Sequence, residues 1–236
     1  MKRFYKMVTT GSDPSGYTIL LDGQPVKAPS GKILAAPCEA LAQAIMQEWA
    51  GQETDIVPDS MPLTQILTTR IDRVSHEREA MSAALLKYLD TDLLCYRTDH
   101  PPALAQAQDE AWSPWLGWFE RRFSGALETT TGLRALRQDE ALAERIRDHV
   151  QAMDDDAFTV FQLVTALGGS IVLALAFMEG ELSPAELFEA IRVEERWKAA
   201  LYDEERYGPD PMQARKDESA QTDLAAAQLY LRALKS

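Results

Sequence analysis

The chain has 236 residues, of which 46% are hydrophobic and 26% charged, a composition typical of a globular protein and unlike that of a disordered one. Its formal net charge of −13 argues against sequence-independent binding of nucleic acid, because contacts to phosphates need clustered Lys and Arg. The two cysteines, Cys38 and Cys95, are far apart and lie in no CxxC or Cys/His spacing. They favour a reducing compartment over a disulfide scaffold.

The charge is unevenly distributed along the chain. Residues 1–36 hold five basic residues against two acidic ones, a local charge of +3, so the remainder carries −16. A basic head could steer association with a partner of mixed charge, although solubility alone explains most surface charges equally well. The N-terminus is followed by no apolar signal-peptide core and no long Arg/Ser-rich stretch, which predicts a protein of the cytoplasm or, after processing, of the mitochondrial matrix.

The first 36 residues predict a small antiparallel sheet. A short aromatic segment at 3–9 is expected to form the first strand, and residues 11–16, which are dense in Gly, Ser, Asp and Pro, a turn. The apolar, β-branched segment 17–21 is followed directly by Asp22-Gly23, the strongest short hairpin signal, because both central residues of that turn need positive φ. Short returning strands are expected at 25–29 and 32–35.

From residue 37 the hydrophobic spacing becomes helical. Apolar residues at i, i+4 and i+8 predict a helix that a glycine ends, formed by Leu41, Ile45 and Trp49 and closed by Gly51. Pro62 occupies the position expected of the first residue in the next helix, which is predicted to break near Ser75. We therefore predict an α+β fold, with a β-rich N-terminal domain containing one helix at residues 1–60 and a helical domain at residues 61–236.

Further helices are predicted along the second domain. A helix opened by Pro101-Pro102 carries most of the tryptophans, and Pro114 either kinks it or starts another. An amphipathic helix is expected at 139–153 and a final one at 224–234, after a polar, loose segment at 203–219. The sequence Ser183-Pro184-Ala185-Glu186 is a capping box with proline at the first helical position, so a helix is predicted from 184 to about 202.

Residues 157–178 form the most apolar segment and are about long enough to span a bilayer. Gln162 and three hydroxyl residues interrupt the segment, and its flanks are acidic, with none of the Lys and Arg that orient membrane spans. A single helix buried on all sides is therefore the preferred prediction.

Several patterns that begin like catalytic motifs fail at the residue that the chemistry requires. Gly11–Thr18 has the glycine spacing of a P-loop, but Tyr17 stands where the phosphate-binding lysine must be. His76-Glu77 begins like a zinc-protease motif, but Ala80 replaces the second ligand. Adjacent carboxylates such as Glu194 and Glu195 point about 100° apart on a helix, so they would not share one substrate atom. The sequence predicts no catalytic, cofactor or metal site.

The aromatic residues suggest protein recognition. Trp112, Trp115 and Phe119 share one helical face, and most such stripes are core. Trp118 lies off that face. Large aromatic surface that cannot all be buried is typical of protein-binding patches.

A set of short segments, in order along nearly the whole chain, carries a family resemblance. They are Arg3-Phe4-Tyr5-Lys6, Gly16-Tyr17, Leu21-Asp22-Gly23, Pro25-Val26-Lys27, Glu48-Trp49-x-x-Gln52, Met61-Pro62-Leu63-Thr64, Thr91–Arg97, Gln108, Trp112, Pro114, Trp118, Leu167–Phe177, Leu182-Ser183 and Val193-Glu194-Glu195. The chain resembles the assembly chaperones that bind the alpha subunit of the catalytic head of the F-type ATP synthase, found in mitochondria and related bacteria. It departs from the family near Lys198–Tyr202, where Gln and Trp-Gly are expected.

The resemblance implies a chaperone without catalysis or cofactor. Such a protein, monomeric when free, would hold the unassembled alpha subunit by the surface later paired with beta, until beta displaces it. Glu194 matches a family carboxylate and is the better candidate for partner contact, with Glu195 and Trp118 as further candidates. Trp49 matches a family tryptophan and is interpreted as structural, as is Asp92.

Two rival functions stay open at this stage. One is an adaptor that binds another client by the same physics. The other is an enzyme with an unfamiliar site around Asp92, Tyr96 and His100.

Overall fold

The computed structural model describes residues 1–201, Gly208 and residues 211–235. The strands are β1 (Val8–Asp13), β2 (Gly16–Leu21), β3 (Gln24–Pro25) and β4 (Ala35–Ala36). The helices are α1 (Glu39–Ala50), α2 (Pro62–Thr69), α3 (Ser75–Leu86), α4 (Tyr88–Thr91), α5 (Pro102–Phe123), α6 (Glu140–Gln151), α7 (Asp155–Gly168), α8 (Ile171–Glu179), α9 (Pro184–Ile191), α10 (Val193–Leu201) and α11 (Pro211–Ala233). A small N-terminal antiparallel sheet followed by a mostly helical remainder confirms the predicted α+β fold.

The chain divides into two compact units. The first unit consists of Met1–Arg78, Asp155–Val160 and Ala225–Ser236, and the second of Glu79–Asp154 and Phe161–Leu224. The division of the chain into domains at residues 60 and 61 stays a prediction.

The sheet of the first unit is built around β2. β1 pairs with β2 along its whole length, from Val8 opposite Leu21 to Asp13 opposite Gly16, and β3 and β4 pair with β2 as well. The predicted bounds of the first strand, 3–9, and of the turn, 11–16, were therefore wrong. Pairing with β2 continues through Gly11–Asp13, and the turn consists of Pro14-Ser15 alone. Gly16 has φ +131, and a Cβ there would lie 2.5 Å from the Ala36 carbonyl oxygen.

The hairpin predicted at Asp22-Gly23 is confirmed. Both residues have positive φ, +48 and +82. The Asp22 carboxylate also accepts hydrogen bonds from the backbone N–H groups of Lys6 and Met7, at 3.1 and 2.8 Å. The turn residue therefore holds the segment before β1 as well as reversing the chain.

Hydrogen bonds between two of the segments that carry the family resemblance, Glu48-Trp49-x-x-Gln52 and Met61-Pro62-Leu63-Thr64, link α1 to α2. Leu41 and Ile45 on α1 are fully buried, as their spacing predicted. The Glu48 carboxylate, one turn further on, accepts hydrogen bonds from the N–H groups of Leu63 and Thr64, at 2.7 and 2.8 Å. A carboxylate is stabilising at a helix N-terminus, where the first N–H groups lack partners. Glu48 therefore fixes the start of α2, and partial burial raises its pKa despite these bonds.

Helix α2 starts at Pro62, as predicted. The break expected near Ser75 is a π-helical turn over Arg70–Val74 that leads directly into α3. The Ser75 hydroxyl donates to the Ile71 carbonyl oxygen at 2.7 Å and closes this turn.

Helices α5 and α8 contribute many of the buried side chains of the second unit. Helix α5 is one continuous helix of 22 residues with Pro114 inside it. Its buried side chains are spaced along one face: Leu104, Gln108, Trp112, Phe119 and Phe123. Every residue from Ile171 to Phe177 on α8 is buried.

The apolar segment 157–178 is two helices, so the prediction of a single buried helix was wrong. Gly169 has φ +62, a conformation that side chains disfavour, and Ser170 then caps α8 by accepting a hydrogen bond from the Leu173 N–H. Within the described residues, no helix is both long and apolar enough to cross a membrane.

Two predictions on the C-terminal helices also needed correction. The capping box at Ser183 is confirmed, but the helix expected to run to about 202 is interrupted at Arg192, which separates α9 from α10. The segment expected to be loose at 203–219 is helical from Pro211 onward, in α11. Its residues 203–207, 209 and 210 lie outside the described part of the chain.

Candidate functional site

Glu194 lies in the first turn of α10 and is bonded to α5. Its side chain is 37% exposed. One carboxylate oxygen accepts a hydrogen bond of 2.9 Å from the side-chain amide of Gln108, and the other lies 3.7 Å from the Lys198 ammonium. Gln108, 1% exposed, uses its own carbonyl to accept from the Thr98 N–H. The partner-contact candidate is thus also a link between two helices and a loop.

The other two candidates for partner contact are also only partly buried. Glu195 is 43% exposed and lies 3.5 Å from the Arg192 guanidinium, which also contacts Asp217. Trp118 is half-buried, with its ring edge-on to the Phe123 ring at 6.1 Å between centroids. All three candidates belong to the second unit, and Glu194 and Glu195 share one turn of α10.

A groove opens between α5 and the helices α9 and α10. Its volume is about 640 Å³. The lining side chains, which we call the tryptophan groove, are Ala107, Glu110, Ala111, Trp115, Glu186, Glu189, Ala190, Val193, Arg196 and Trp197. Trp115 and Trp197 are both half-buried. The groove therefore presents two large aromatic surfaces that the core does not fully cover.

Buried contacts fix the walls of the tryptophan groove. Trp112 is 1% exposed and donates its indole N–H to the carbonyl oxygen of Ala190, at 2.8 Å. This bond ties α5 to the end of α9, where Leu187 and Phe188 are also buried. Ser183 caps α9 and holds the Glu186 carboxylate, which lowers the pKa of that group.

The rim of the tryptophan groove is acidic. Glu110, Glu186 and Glu189 are exposed around it, against the single guanidinium of Arg196, which pairs with Glu189. The rim thus has more carboxylate than guanidinium, and these charges surround apolar side chains.

Asp92 is fully buried and holds the start of α8. One oxygen accepts from the Leu94 N–H at 3.0 Å, and the other from the Val172 N–H at 3.1 Å. The Ser170 hydroxyl lies 2.8 and 3.0 Å from the two oxygens. Burial raises the pKa of the Asp92 carboxyl to about 6, against the lowering effect of these donors. The partners of Asp92 are thus two backbone N–H groups and one serine hydroxyl, and its structural role stays a prediction.

Tyr96 and His100, the other members of the possible enzyme site, have different partners from Asp92. The Tyr96 hydroxyl donates to the Asp90 carbonyl oxygen at 2.9 Å and accepts from the Leu136 N–H at 3.1 Å. His100 is exposed. The hydroxyl of Tyr96 and the carboxylate of Asp92 thus each form hydrogen bonds with backbone groups.

Trp49 belongs to the first unit and is half-buried at the end of α1. Its carbonyl oxygen accepts a hydrogen bond of 2.7 Å from the Tyr5 hydroxyl, and the two rings lie 5.9 Å apart. The Trp49 indole N–H is buried and has no hydrogen-bond partner among the residues that the structure describes. Its ring lines a pocket of about 380 Å³ together with Met61 and Thr64.

Sequence reasoning missed Trp197, Val193 and Arg196 as members of a possible binding surface. A signal was present, because Val193 and Trp197 are four residues apart on α10 and therefore share a face. Trp115 was noticed only as part of a core stripe. Among the residues that the structure describes, no group of His, Cys, Asp and Glu is placed to hold a metal ion.

The chain is similar to a family of known chaperones over most of its length. The family model described as "ATP12 chaperone protein" matches residues 2–120. A curated relative, mitochondrial Atp12 of Schizosaccharomyces pombe, is 29% identical over an alignment of 194 residues, with 77% of this chain and 67% of the relative covered.

Solved structures agree with this match. The crystal structure of Atp12 from Paracoccus denitrificans has a TM-score of 0.86 at 31% identity, covering 98% of this chain and 97% of that one. A putative chaperone from Agrobacterium tumefaciens has a TM-score of 0.89 at 32% identity, covering 99% and 86%. The family expected from the sequence is thereby confirmed: this chain belongs to the ATP12 chaperone family.

Proposed function

We propose that this protein binds the unassembled alpha subunit of the F-type ATP synthase catalytic head and protects it from aggregation until beta replaces it. The observation that carries the proposal is membership of the ATP12 chaperone family, with a likeness to Atp12 that covers nearly the whole chain. An apolar surface left exposed on an unassembled subunit is a hazard for aggregation, and a chaperone that covers it removes that hazard.

The exchange for beta requires no catalysis by this protein. If the native interface is tighter than the chaperone complex, beta displaces the chaperone by affinity alone. Both oxygens of the Asp92 carboxylate accept hydrogen bonds from Leu94, Ser170 and Val172. These bonds support a structural role for Asp92 over a catalytic one. The proposed compartment is the bacterial cytoplasm or the mitochondrial matrix.

The proposed contact residues are Glu194, Glu195 and Trp118. All three are partly exposed, and Glu194 follows Val193, which lines the tryptophan groove. Because Glu194 is also bonded to Gln108, a loss of function after its replacement has two explanations, one through the client and one through the fold.

Three substitutions separate these explanations. Glu194→Gln keeps an oxygen that accepts from Gln108 but removes the charge, and Gln108→Ala removes the link while leaving the carboxylate. Glu194→Lys reverses the charge. If Glu194 contacts the client through its charge, both Glu194→Gln and Glu194→Lys should abolish protection of alpha. Glu194→Gln should leave the melting temperature almost unchanged, since it keeps the acceptor for Gln108, whereas Glu194→Lys removes that acceptor and should lower the melting temperature as well.

The readouts are aggregation of purified alpha subunit and thermal unfolding by circular dichroism, with Glu120→Lys on α5 as an exposed control of equal charge change. Full protection by a normally folded Glu194→Lys protein would remove Glu194 from the site. Failure of the wild-type protein to protect alpha, with another protein captured from the same cells, would instead favour an adaptor for a different client.

A further inference from the structure

The tryptophan groove has a chemistry that selects its occupant. Its floor is formed by small side chains, Ala107, Ala111 and Ala190, and its aromatic surface by Trp115 and Trp197. Small residues let the backbone of a partner approach closely, and exposed aromatic surface supplies most of the binding energy in protein interfaces. A groove between helices that is lined in this way fits an amphipathic helix, whose apolar residues recur at i, i+3, i+4 and i+7.

The rim adds a preference for positive charge. Among the described residues that line the groove, Arg196 is the single basic side chain, and it pairs with Glu189. The other two carboxylates have neutral donors: Glu110 accepts from the side-chain amide of Gln106 at 2.8 Å, and Glu186 from the Ser183 hydroxyl at 2.6 Å. This hydrogen bond from Ser183 lowers the pKa of the Glu186 carboxyl, which favours its charged form. A helix that carries Lys or Arg beside its apolar stripe would complement this rim, whereas an acidic helix would be repelled.

We propose that the tryptophan groove binds a basic amphipathic helix of the unassembled client, with the apolar stripe on Trp115 and Trp197 and the basic side chains on Glu110 and Glu186. For the identity of the client this inference rests on the proposed function. It adds a recognition site on α5, α9 and α10 and states the kind of segment that the site recognises.

Two variants of α5 test the groove without removing a buried contact. Ala111→Trp fills it, and Ala103→Trp places the same side chain on the exposed first turn of α5 as a control. Glu110→Lys reverses one charge on the rim, and Glu120→Lys makes the same change elsewhere on the helix. Circular dichroism melting of all four identifies any variant that fails to fold.

The probes are two helical peptides with the same stripe of Leu, one flanked by Lys and the other by Glu, together with purified alpha subunit. Calorimetry should show that wild-type protein binds the Lys peptide and not the Glu peptide. Binding should weaken by about tenfold or more in Ala111→Trp, which blocks the aromatic surface, and by a smaller factor in Glu110→Lys. The two controls should bind as wild type. Excess Lys peptide should also relieve protection of alpha.

The outcomes separate this inference from the proposed function. If a folded Ala111→Trp protein protects alpha as well as wild type does, the proposed role of the groove is wrong and the proposed function stands. If wild type binds the Lys peptide, Ala111→Trp abolishes that binding and wild type does not protect alpha, the groove binds a basic helix but the proposed client is wrong. Self-association of wild type that Ala111→Trp abolishes would overturn the inference in favour of a second copy of this chain. Equal binding of both peptides would also overturn it.

Discussion

Replacing Asp92 tests whether a buried carboxylate organises the second unit. Asp92→Ala leaves two backbone donors, the N–H groups of Leu94 and Val172, and the hydroxyl of Ser170 without their acceptor. Each unsatisfied buried donor costs about 1–3 kcal/mol. The summed cost of the three donors is reduced because the substitution also removes a buried charge. Because three donors lose their acceptor, we expect a net loss of about 3–5 kcal/mol.

Asp92→Asn gives an internal comparison. The amide keeps one acceptor oxygen and turns an N–H₂ group toward one of the backbone donors, so we expect one unsatisfied donor and a loss of about 1–3 kcal/mol. Urea unfolding followed by circular dichroism measures both, and the exposed Asp99→Ala should stay within about half a kcal/mol of wild type. An alanine variant no less stable than the asparagine variant would refute the reasoning.

The same carboxyl makes stability depend on pH in a defined direction. Its pKa is raised from 3.8 to about 6 by burial, so the folded protein binds this proton more tightly than the unfolded chain does. The contribution of Asp92 to stability is therefore greatest below about pH 4 and falls as pH rises through about 6. The shift corresponds to about 3 kcal/mol. Between pH 4 and pH 7, the stability of wild type relative to Asp92→Asn should fall by up to this amount; a constant difference would contradict the assignment.

Substitutions at three other positions probe the first unit and the start of α9. Trp49→Arg removes an aromatic surface packed on Tyr5 and should cost about 3 kcal/mol in urea unfolding, whereas an unchanged melting temperature would make Trp49 a contact residue. Tyr230→Phe removes the hydroxyl that donates to buried Asp156 at 2.6 Å and should cost about 1–2 kcal/mol, less than Tyr230→Ala; equal losses would contradict this. Ser183→Ala removes the capping box and should cost about 1 kcal/mol, with protection of alpha retained by the folded protein; Ser183→Asp, which can still cap, should lose less.

Local signals in the sequence were sufficient for the starts and turns of many elements. Asp22-Gly23 predicted its turn because few other residue pairs accept two positive φ values, and Pro62 and Ser183 predicted helix starts because each suits the first unpaired N–H groups. These signals depend on neighbours in sequence. The extent of β1 depended instead on pairing with β2, and it was placed several residues too early.

The break in the apolar segment 157–178 also had a local signal, the helix-breaking residues Gly168-Gly169-Ser170. The prediction gave more weight to the hydrophobicity of the whole segment and missed the break. The structure shows why a break is stable there. Ser170 and Asp92 satisfy the N–H groups at the start of α8, and Asp92 comes from a loop 78 residues earlier. A long-range acceptor of this kind has no local signature, so sequence spacing alone could not reveal it.

The candidate site illustrates the same division between local and long-range information. Glu194 could be found by its match to a family position, but its bond to Gln108 joins residues 86 apart and changes how any replacement of Glu194 must be interpreted. The tryptophan groove likewise combines Trp115 and Trp197 from helices distant in sequence, and each alone has the spacing of ordinary core. Both tryptophans are half-buried, and the groove beside them is also lined by the small side chains of Ala107 and Ala111 on α5. Which tryptophans of a helical stripe remain partly exposed therefore depends on the size of neighbours that only the packing of the helices brings together.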